Sequence, residues 1–136
     1  EEFFVEIGRQ MPEQLFMVVA IEEETMIAAA LFFRNSEKLF GRYWGSLRGY
    51  QFLHFETCYY QGIDYCIANR LQRFDPGAQG EHKIQRGFTP IETWSNHWIA
   101  HPEFRSAIQD FLHRDNQAMK HYLEQAKKLL PFKQED

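Results

Sequence analysis

The chain has 136 residues, a formal net charge of −4 at pH 7 and a sequence pI near 5.9. With 44% hydrophobic and 16% aromatic residues it encodes one domain with a substantial core, which excludes wholesale disorder. The acidic balance argues against a general nucleic-acid coat, and no apolar run approaches the ~18–20 residues that cross a bilayer.

The chain opens with two glutamates, without an initiator methionine or a basic signal segment, so we expect a piece of a longer protein. Cys58 and Cys66 lie in a stretch with helical periodicity, where their spacing corresponds to ~12 Å of rise. That separation is too long for a disulfide. Reduced thiols predict a cytoplasmic location.

The first half of the chain predicts a short helix followed by a sheet. Residues 1–10 form an amphipathic segment that we expect to be the tail of a helix. Apolar runs at residues 15–22, 26–34 and 39–44 are separated by short polar turns. This spacing predicts three strands of an antiparallel meander. Three alanines leave a helix as the alternative for residues 26–33.

The second half predicts two helices with strands between them. Apolar residues recur at three- and four-residue steps over residues 55–74, which predicts a helix that Pro76 and Gly77 terminate. Residues 80–100 predict two strands, the second at 91–99, and residues 102–130 predict a final helix. Segregated strands and helices indicate an α+β fold with helices packed on a mostly antiparallel sheet.

Residues 77–88, GAQGEHKIQRGF, are the strongest candidate for a functional segment. They combine three glycines with a dense run of polar and charged side chains, which predicts a short strand or loop that lines a cleft. Glu81 or His82 is a candidate general base. Lys83 and Arg86 are candidates to bind a phosphate or carboxylate. The alternative is a surface strand carrying salt bridges.

Two further segments carry candidate site residues. The first is residues 39–45, LFGRYWG, where a strand that ends at Gly45 would leave backbone N–H and C=O groups available for binding. The alternative is a strand whose aromatic side chains face the core and whose arginine faces outward. In residues 54–61, HFETCYYQ, His54 and Glu56 stand near a helix N-terminus, which favours anions. The alternative there is that Glu56 or Thr57 caps the helix.

Other familiar chemistries lack support in the sequence. The histidines at 54, 82, 97 and 101 show neither HxH nor HExxH spacing, so we expect no metal site. Walker A, GxGxxG and GxSxG motifs are absent from the sequence.

Together, four motifs resemble the FemAB-like (peptidoglycan biosynthesis/recognition) branch of the bacterial GNAT N-acyltransferase superfamily. They are GRYWG at residues 41–45, LHFETCYYQGIDYCI at 53–67, FDPGAQGEHKIQRGFTP at 74–90 and TWSNH at 93–97. The match covers nearly the whole chain in one order. Asp64 and Asp75 depart from it, because the family tends to use glutamate there.

The resemblance implies that residues 1–136 form a single GNAT-like domain, the C-terminal part of a longer tandem-GNAT protein. It implies a sheet that splays between a fourth strand at residues 39–45 and a fifth strand at residues 77–83, with the N-terminus of the central helix facing the cleft. The sequence departs from a typical GNAT domain in two respects. No helix is expected between Lys83 and Ile91, and Gly49 and Gln51 do not reproduce the Q/RxxGxG/A diphosphate loop.

The resemblance implies acyl transfer from acyl-CoA or aminoacyl-tRNA to an amine, with tRNA as a partner in the second case and no metal or membrane. Glu81 or His82 would be the catalytic base. The implied substrate-binding residues are Lys83, Arg86, Gln79, Arg42, Trp44, His54, Glu56, Tyr59, Tyr60 and His97. The alternatives are a non-catalytic module that recognises a peptide or cell-wall precursor, and a fragment that forms a homodimer.

Overall fold

A computed structural model describes residues 2–78 and 80–132. These residues fall into two compact units, 2–78 and 80–132. The described residues form strands and helices that are segregated along the chain. The predicted α+β class is confirmed, with a four-stranded mixed sheet, a central helix and a long C-terminal helix. This architecture is consistent with a GNAT-like fold.

The first unit is built on an antiparallel meander of β1 (Leu15–Glu22), β2 (Thr25–Arg34) and β3 (Lys38–Ser46). The predicted meander is therefore confirmed, and the helix alternative for residues 26–33 is wrong. Alternate residues of β2 are buried, as one face of a sheet requires. The side chain of Asn35 accepts hydrogen bonds from the backbone N–H groups of Glu37 and Lys38 and so closes the turn between β2 and β3.

The fourth strand, β4 (Arg73–Asp75), pairs in parallel with the first three residues of β3. The predicted helix over residues 55–74 is too long, because helical structure ends at Ala68 and Arg70 adopts a positive φ of 55°. The prediction of a strand at residues 77–83 is also wrong. Gly77 and Gly80 have φ of 87° and 99°, conformations that interrupt a regular strand.

The central helix packs one face against the sheet. It comprises an α-helical start at Leu53–Phe55, a π-helical stretch at Glu56–Tyr60 and an α-helical segment at Gln61–Ala68. Phe32 and Leu39 are the largest fully buried side chains of the core. Phe32 lies 6.0 Å from the Phe74 ring, and Phe16 stacks on Tyr65 at 3.8 Å between centroids. This core joins the sheet, the central helix and β4.

Gly62 is a point of close approach in the central helix. An added Cβ there would lie 2.6 Å from the Phe74 ring and 3.4 Å from the Phe32 ring. Glycine therefore allows the helix to approach the aromatic core closely. Cys58 and Cys66 both lie on this helix as reduced thiols, as the sequence predicted. Burial raises the pKa of the Cys66 thiol.

A short helix lies against the other face of the sheet, and the helix predicted within residues 1–10 is confirmed at Glu2–Gln10. This N-terminal helix (Glu2–Gln10) carries Phe4, whose ring meets Tyr43 of β3 edge-on at 5.2 Å. Tyr43 is opposite Leu31 in the sheet register. The helix thereby covers part of a face that carries Met17, Ala29 and Leu31.

The second unit consists of a short 3₁₀-helix (Glu81–Arg86), an irregular segment and the C-terminal helix (Pro102–Lys127). The C-terminal helix is confirmed, and the imidazole of His101 accepts a hydrogen bond from the N–H of Phe104 at its start. The prediction of two strands in residues 80–100 is wrong. Residues 81–86 form a helix instead of the first strand. Residues 88–100 form no backbone ladder with another strand, although polar and apolar side chains alternate along part of this segment.

No helix within the described ranges is both long and apolar enough to cross a membrane.

Candidate functional site

The outer edge of β3 is the first candidate region. Strand β4 pairs only with Lys38–Phe40, so within residues 2–78 the rest of β3 has a strand partner on the β2 side alone. The register changes between Leu31 and Phe32, because Leu31 pairs with Tyr43 while Phe32 pairs with Gly41. Arg42 is consequently the extra residue of a β-bulge. Such bulges bend a strand and redirect its side chains.

The side chains after the bulge meet the start of the central helix. Trp44 is partly exposed, and its ring meets the His54 ring at 5.4 Å. His54 in turn meets the buried Tyr59 ring at 5.3 Å, and Phe55 stacks on Tyr59 at 6.1 Å. The structure therefore brings together three predicted substrate-binding residues, Trp44, His54 and Tyr59. Arg42 is exposed and lies over the Tyr43 ring at 5.5 Å.

The capping alternative for the central helix is wrong. The N-cap position is Phe52, in the left-handed region with a φ of 65°, and no side chain caps the helix. Thr57 instead donates its hydroxyl to the carbonyl of Leu53 within the helix, at 2.8 Å. Glu56 is exposed and accepts a hydrogen bond from Gln61 at 2.8 Å, and Tyr60 is exposed on the same stretch.

The predicted catalytic segment forms a single 3₁₀-helix, Glu81–Arg86, between two glycines. Gly80 and Gly87 have φ of 99° and 88°, a region that side chains with a Cβ rarely adopt. The two glycines thus set the start and the end of the turn. The segment is neither the strand nor the loop that its polar pattern predicted, because consecutive hydrogen bonds close it locally.

Within this turn the side chains divide between the interior and solvent. Lys83 and Ile84 are buried, whereas Glu81 is exposed and His82 is half-buried. Arg86 donates from its guanidinium to the carbonyl of His82 at 2.7 Å. The turn therefore presents the two candidate bases to solvent more than its lysine.

The environment of His82 favours the neutral imidazole. Burial lowers the pKa of His82, and the positive charges of Arg86 and Lys83 lower this pKa further. A protonated imidazole would add a third positive charge to the same turn. His82 is accordingly a proton acceptor at neutral pH.

Glu81 contacts a residue that the sequence did not point to. The hydroxyl of Tyr122 on the C-terminal helix donates a hydrogen bond to the Glu81 carboxylate at 2.7 Å. This bond raises the pKa of Tyr122, as burial and the Glu81 charge also do to a lesser extent. No local signal in the sequence connects Tyr122 with Glu81, because the two residues are 41 positions apart.

The remaining predicted residues lie apart from these groups. The side chain of His97 is exposed and shares a hydrogen bond of 2.8 Å with the hydroxyl of Ser95. Gln79 lies outside the described residues. In the described part of the chain, no group of three or more His, Cys, Asp or Glu side chains is placed to hold a metal ion.

The structure thus contains two groups of candidate residues, one in each compact unit. An aromatic group lies at the open edge of β3, and a charged group with two potential bases lies on a glycine-bounded turn. A mixed sheet that opens beside a central helix is consistent with a GNAT-like fold.

The family model of the FemAB-like proteins, described as peptidoglycan biosynthesis/recognition, matches residues 1–134. The chain belongs to this family, and the resemblance that its motifs indicated is confirmed. Membership implies peptidoglycan-related aminoacyl transfer or recognition. No curated protein is similar enough to the chain to match it.

Proposed function

We propose that the chain is the acyl-transferring part of an N-acyltransferase that moves an acyl or aminoacyl group to an amine. The donor would be an acyl-CoA or an aminoacyl-tRNA. The observation that carries the proposal is the turn Glu81–Arg86, where a solvent-exposed carboxylate and a neutral imidazole adjoin two cationic residues. Proton acceptors beside cations suit a reaction that deprotonates an amine and handles an anionic donor.

The reaction needs a base for the amine proton and a group that stabilises the negative charge of the intermediate. The amine nitrogen attacks the acyl carbon and forms a C–N bond, while the C–S or C–O bond to the donor breaks. The base takes the proton that the amine loses, and the departing sulfur or oxygen is protonated. We assign the base to Glu81, because its carboxylate is exposed to a substrate, and keep His82 as the second candidate. Hydrogen-bond donors would stabilise the oxyanion intermediate.

The other predicted residues are proposed as substrate contacts. Arg86 and Lys83 would balance the charge of an anionic substrate, Lys83 from a buried position. For residues 2–78 we propose contacts from Arg42, Trp44, His54, Glu56, Tyr59 and Tyr60, and for residues 80–132 from His97. Gln79, which lies outside the described residues, is proposed as a contact on the family resemblance alone. Within residues 2–78, β3 beyond Phe40 has no strand partner on the side away from β2, and its backbone N–H and C=O groups would bind an extended acyl arm.

This function sets expectations for the whole protein. We propose that the chain is one GNAT-like domain of a longer tandem-GNAT protein, on the pattern of the family that it resembles. A cytoplasmic location follows from the proposed donors. No metal is required, because base catalysis and charged side chains suffice for acyl transfer from an activated donor.

A recognition module is the second candidate function. Trp94 and Trp98 are 87% and 82% exposed in a segment without regular structure. Exposed tryptophan side chains are enriched at binding surfaces. Such a module would bind a peptide or a cell-wall precursor without turnover.

Separate substitutions of the two candidate bases test these functions. Purified chain would be assayed with acetyl-CoA and with alanyl-tRNA as donors and a lysine-containing peptidoglycan peptide as acceptor. Glu81→Gln is expected to lower kcat by about 100-fold or more, the usual contribution of a general base, with little effect on peptide binding. His82→Gln is expected to have a smaller effect. Glu92→Gln, an exposed carboxylate of the same unit, is the matched control.

Calorimetry with the acceptor peptide separates catalysis from recognition. Peptide binding that depends on Trp94 and Trp98, together with no turnover from either donor, would support the recognition module. Turnover that persists in both Glu81→Gln and His82→Gln would show that this turn does not supply the base.

A further inference from the structure

We propose that Tyr122 is a positioning residue that holds the Glu81 carboxylate in its working orientation. This inference rests on the proposed function, because it assigns Glu81 as the base. The contact joins the 3₁₀-helix to the C-terminal helix through one hydrogen bond of 2.7 Å. Both residues lie in the same compact unit.

The hydrogen bond restrains a side chain that is otherwise open to solvent. Glu81 is exposed and takes part in no ion pair among residues 2–78 and 80–132. An exposed glutamate samples several rotamers, so a base without a second contact would spend much of its time misaligned. The phenol donor selects the rotamers in which one carboxylate oxygen points to the C-terminal helix. The second oxygen remains available for an amine proton.

A phenol is chemically suited to this role. A lysine or arginine partner would offset the negative charge that makes a carboxylate a base, whereas the neutral hydroxyl orients the group and leaves its charge in place. The hydroxyl keeps its proton at neutral pH, because an ordinary tyrosine has a pKa of about 10. The bond to Glu81 raises the pKa of Tyr122 further. Tyr122 therefore acts as a hydrogen-bond donor over the whole physiological pH range.

Buried or closely packed groups lie on both sides of the contact. Ala126, one helical turn after Tyr122, is 2% exposed, so the C-terminal helix is packed closely at this point. At the far end of the turn the Phe132 ring lies against Gly87, where an added Cβ would be 2.6 Å from the ring. The turn therefore has two contacts within its unit. Gly87 packs against the Phe132 ring, and Glu81 accepts the hydrogen bond from Tyr122 on the C-terminal helix.

The test compares Tyr122→Phe in two backgrounds with the same donors and acceptor peptide. In the otherwise unchanged chain this variant should lower kcat about tenfold, at the lower end for a hydrogen bond to a charged group, and leave KM nearly unchanged. In the Glu81→Gln background it should change kcat less than about twofold, because residues that act through one another are not additive. Tyr50→Phe is the matched control, since Tyr50 donates to the Glu22 carboxylate in the other unit.

A spectroscopic measurement reports the contact without turnover. Tyrosine labelled at the ζ carbon would be titrated by NMR, with Tyr122 assigned by its loss in Tyr122→Phe. In the unchanged chain Tyr122 should ionise at a higher pH than in Glu81→Gln. Identical titration curves in the two proteins would overturn the contact.

The outcomes separate this inference from the proposed function. Loss of turnover in Glu81→Gln but not in Tyr122→Phe would overturn the positioning role alone. An equal loss from Tyr122→Phe in both backgrounds would also overturn it, because the tyrosine would then act independently of Glu81. Full turnover in Glu81→Gln with loss in His82→Gln would overturn this inference and assign the base to His82. Full turnover in both variants, or none in the unchanged chain, would overturn the proposed function and the inference with it.

Discussion

The two compact units differ in what holds them together. In residues 2–78 the sheet and the central helix enclose an aromatic and aliphatic core that includes Phe32, Leu39 and Cys66. In residues 80–132 the buried side chains are Lys83, Ile84 and Ala126, and a 3₁₀-helix carries the proposed base. Apolar burial therefore stabilises the first unit, whereas a few specific contacts position the charged turn of the second.

The largest effect should come from opening the core of the first unit. Phe32→Ala removes a ring that is 1% exposed, and we expect a loss of about 3–5 kcal/mol in the free energy of unfolding. Urea denaturation followed by circular dichroism measures it. Met17→Ala, on a side chain that is 54% exposed, should cost far less. Similar losses in the two variants would contradict the assignment of stability to this core.

A second substitution tests how tightly the same core is packed. Gly62→Ala would gain about 1 kcal/mol of helix propensity but places a Cβ 2.6 Å from the Phe74 ring. We expect a net loss of about 1–3 kcal/mol, measured by the same denaturation experiment. Adding Phe74→Leu should recover part of this cost by relieving the clash. A stabilising Gly62→Ala would show that Phe74 moves aside freely.

The second unit is tested at the end of its turn. Gly87→Ala forces a φ of 88° on a residue with a Cβ, which costs roughly 1–2 kcal/mol before any clash with Phe132. Hydrogen exchange should become faster in Glu81–Arg86 and stay unchanged in β1–β3. Gly49→Ala is the control, because its Cβ would meet nothing within 4 Å. Faster exchange in the sheet as well would mean that the units do not respond separately.

The smallest effect concerns acid stability. The pKa of His82 is lowered in the folded chain, so below the ordinary histidine pKa of about 6.5 the unfolded chain binds more protons. Stability should therefore fall as the pH decreases from about 7 through 6.5, and this contribution is lost in His82→Gln. The measurement is Tm against pH for both proteins. Parallel curves would show that the imidazole titrates normally.

Sequence patterns predicted the elements that depend on local periodicity. The apolar runs of β1–β3 and the long C-terminal helix were found because each alternates or repeats over many residues. Strand β4 was missed because it has three residues, and its pairing with Lys38–Phe40 is a tertiary contact. The polar turn was recognised as a candidate site, but its helical form depends on Gly80 and Gly87 in positive φ conformations.

The contacts between side chains were harder to predict. The position of His54 near a helix start and the family resemblance of Tyr59 predict site residues, and the structure shows that the His54 ring contacts both Trp44 and Tyr59. Tyr122 could not be selected, because its apolar ring fits a helix face and only its hydroxyl contacts Glu81. Sequence periodicity reports which face of a helix is apolar, not which polar atom reaches another element.

The bulge at Arg42 also bears on whether two copies of the chain associate through their strand edges. An unpaired strand edge exposes N–H and C=O groups that another strand can join, which is a common start of aggregation. Among the residues of the first unit that the structure describes, β3 has such an edge beyond Phe40 on the side away from β2. The extra residue bends this edge. The guanidinium of Arg42 is exposed there, so two copies that paired along this edge would bring two positive charges together. Replacing Arg42 with a β-branched apolar residue would therefore favour edge-to-edge association of the chain.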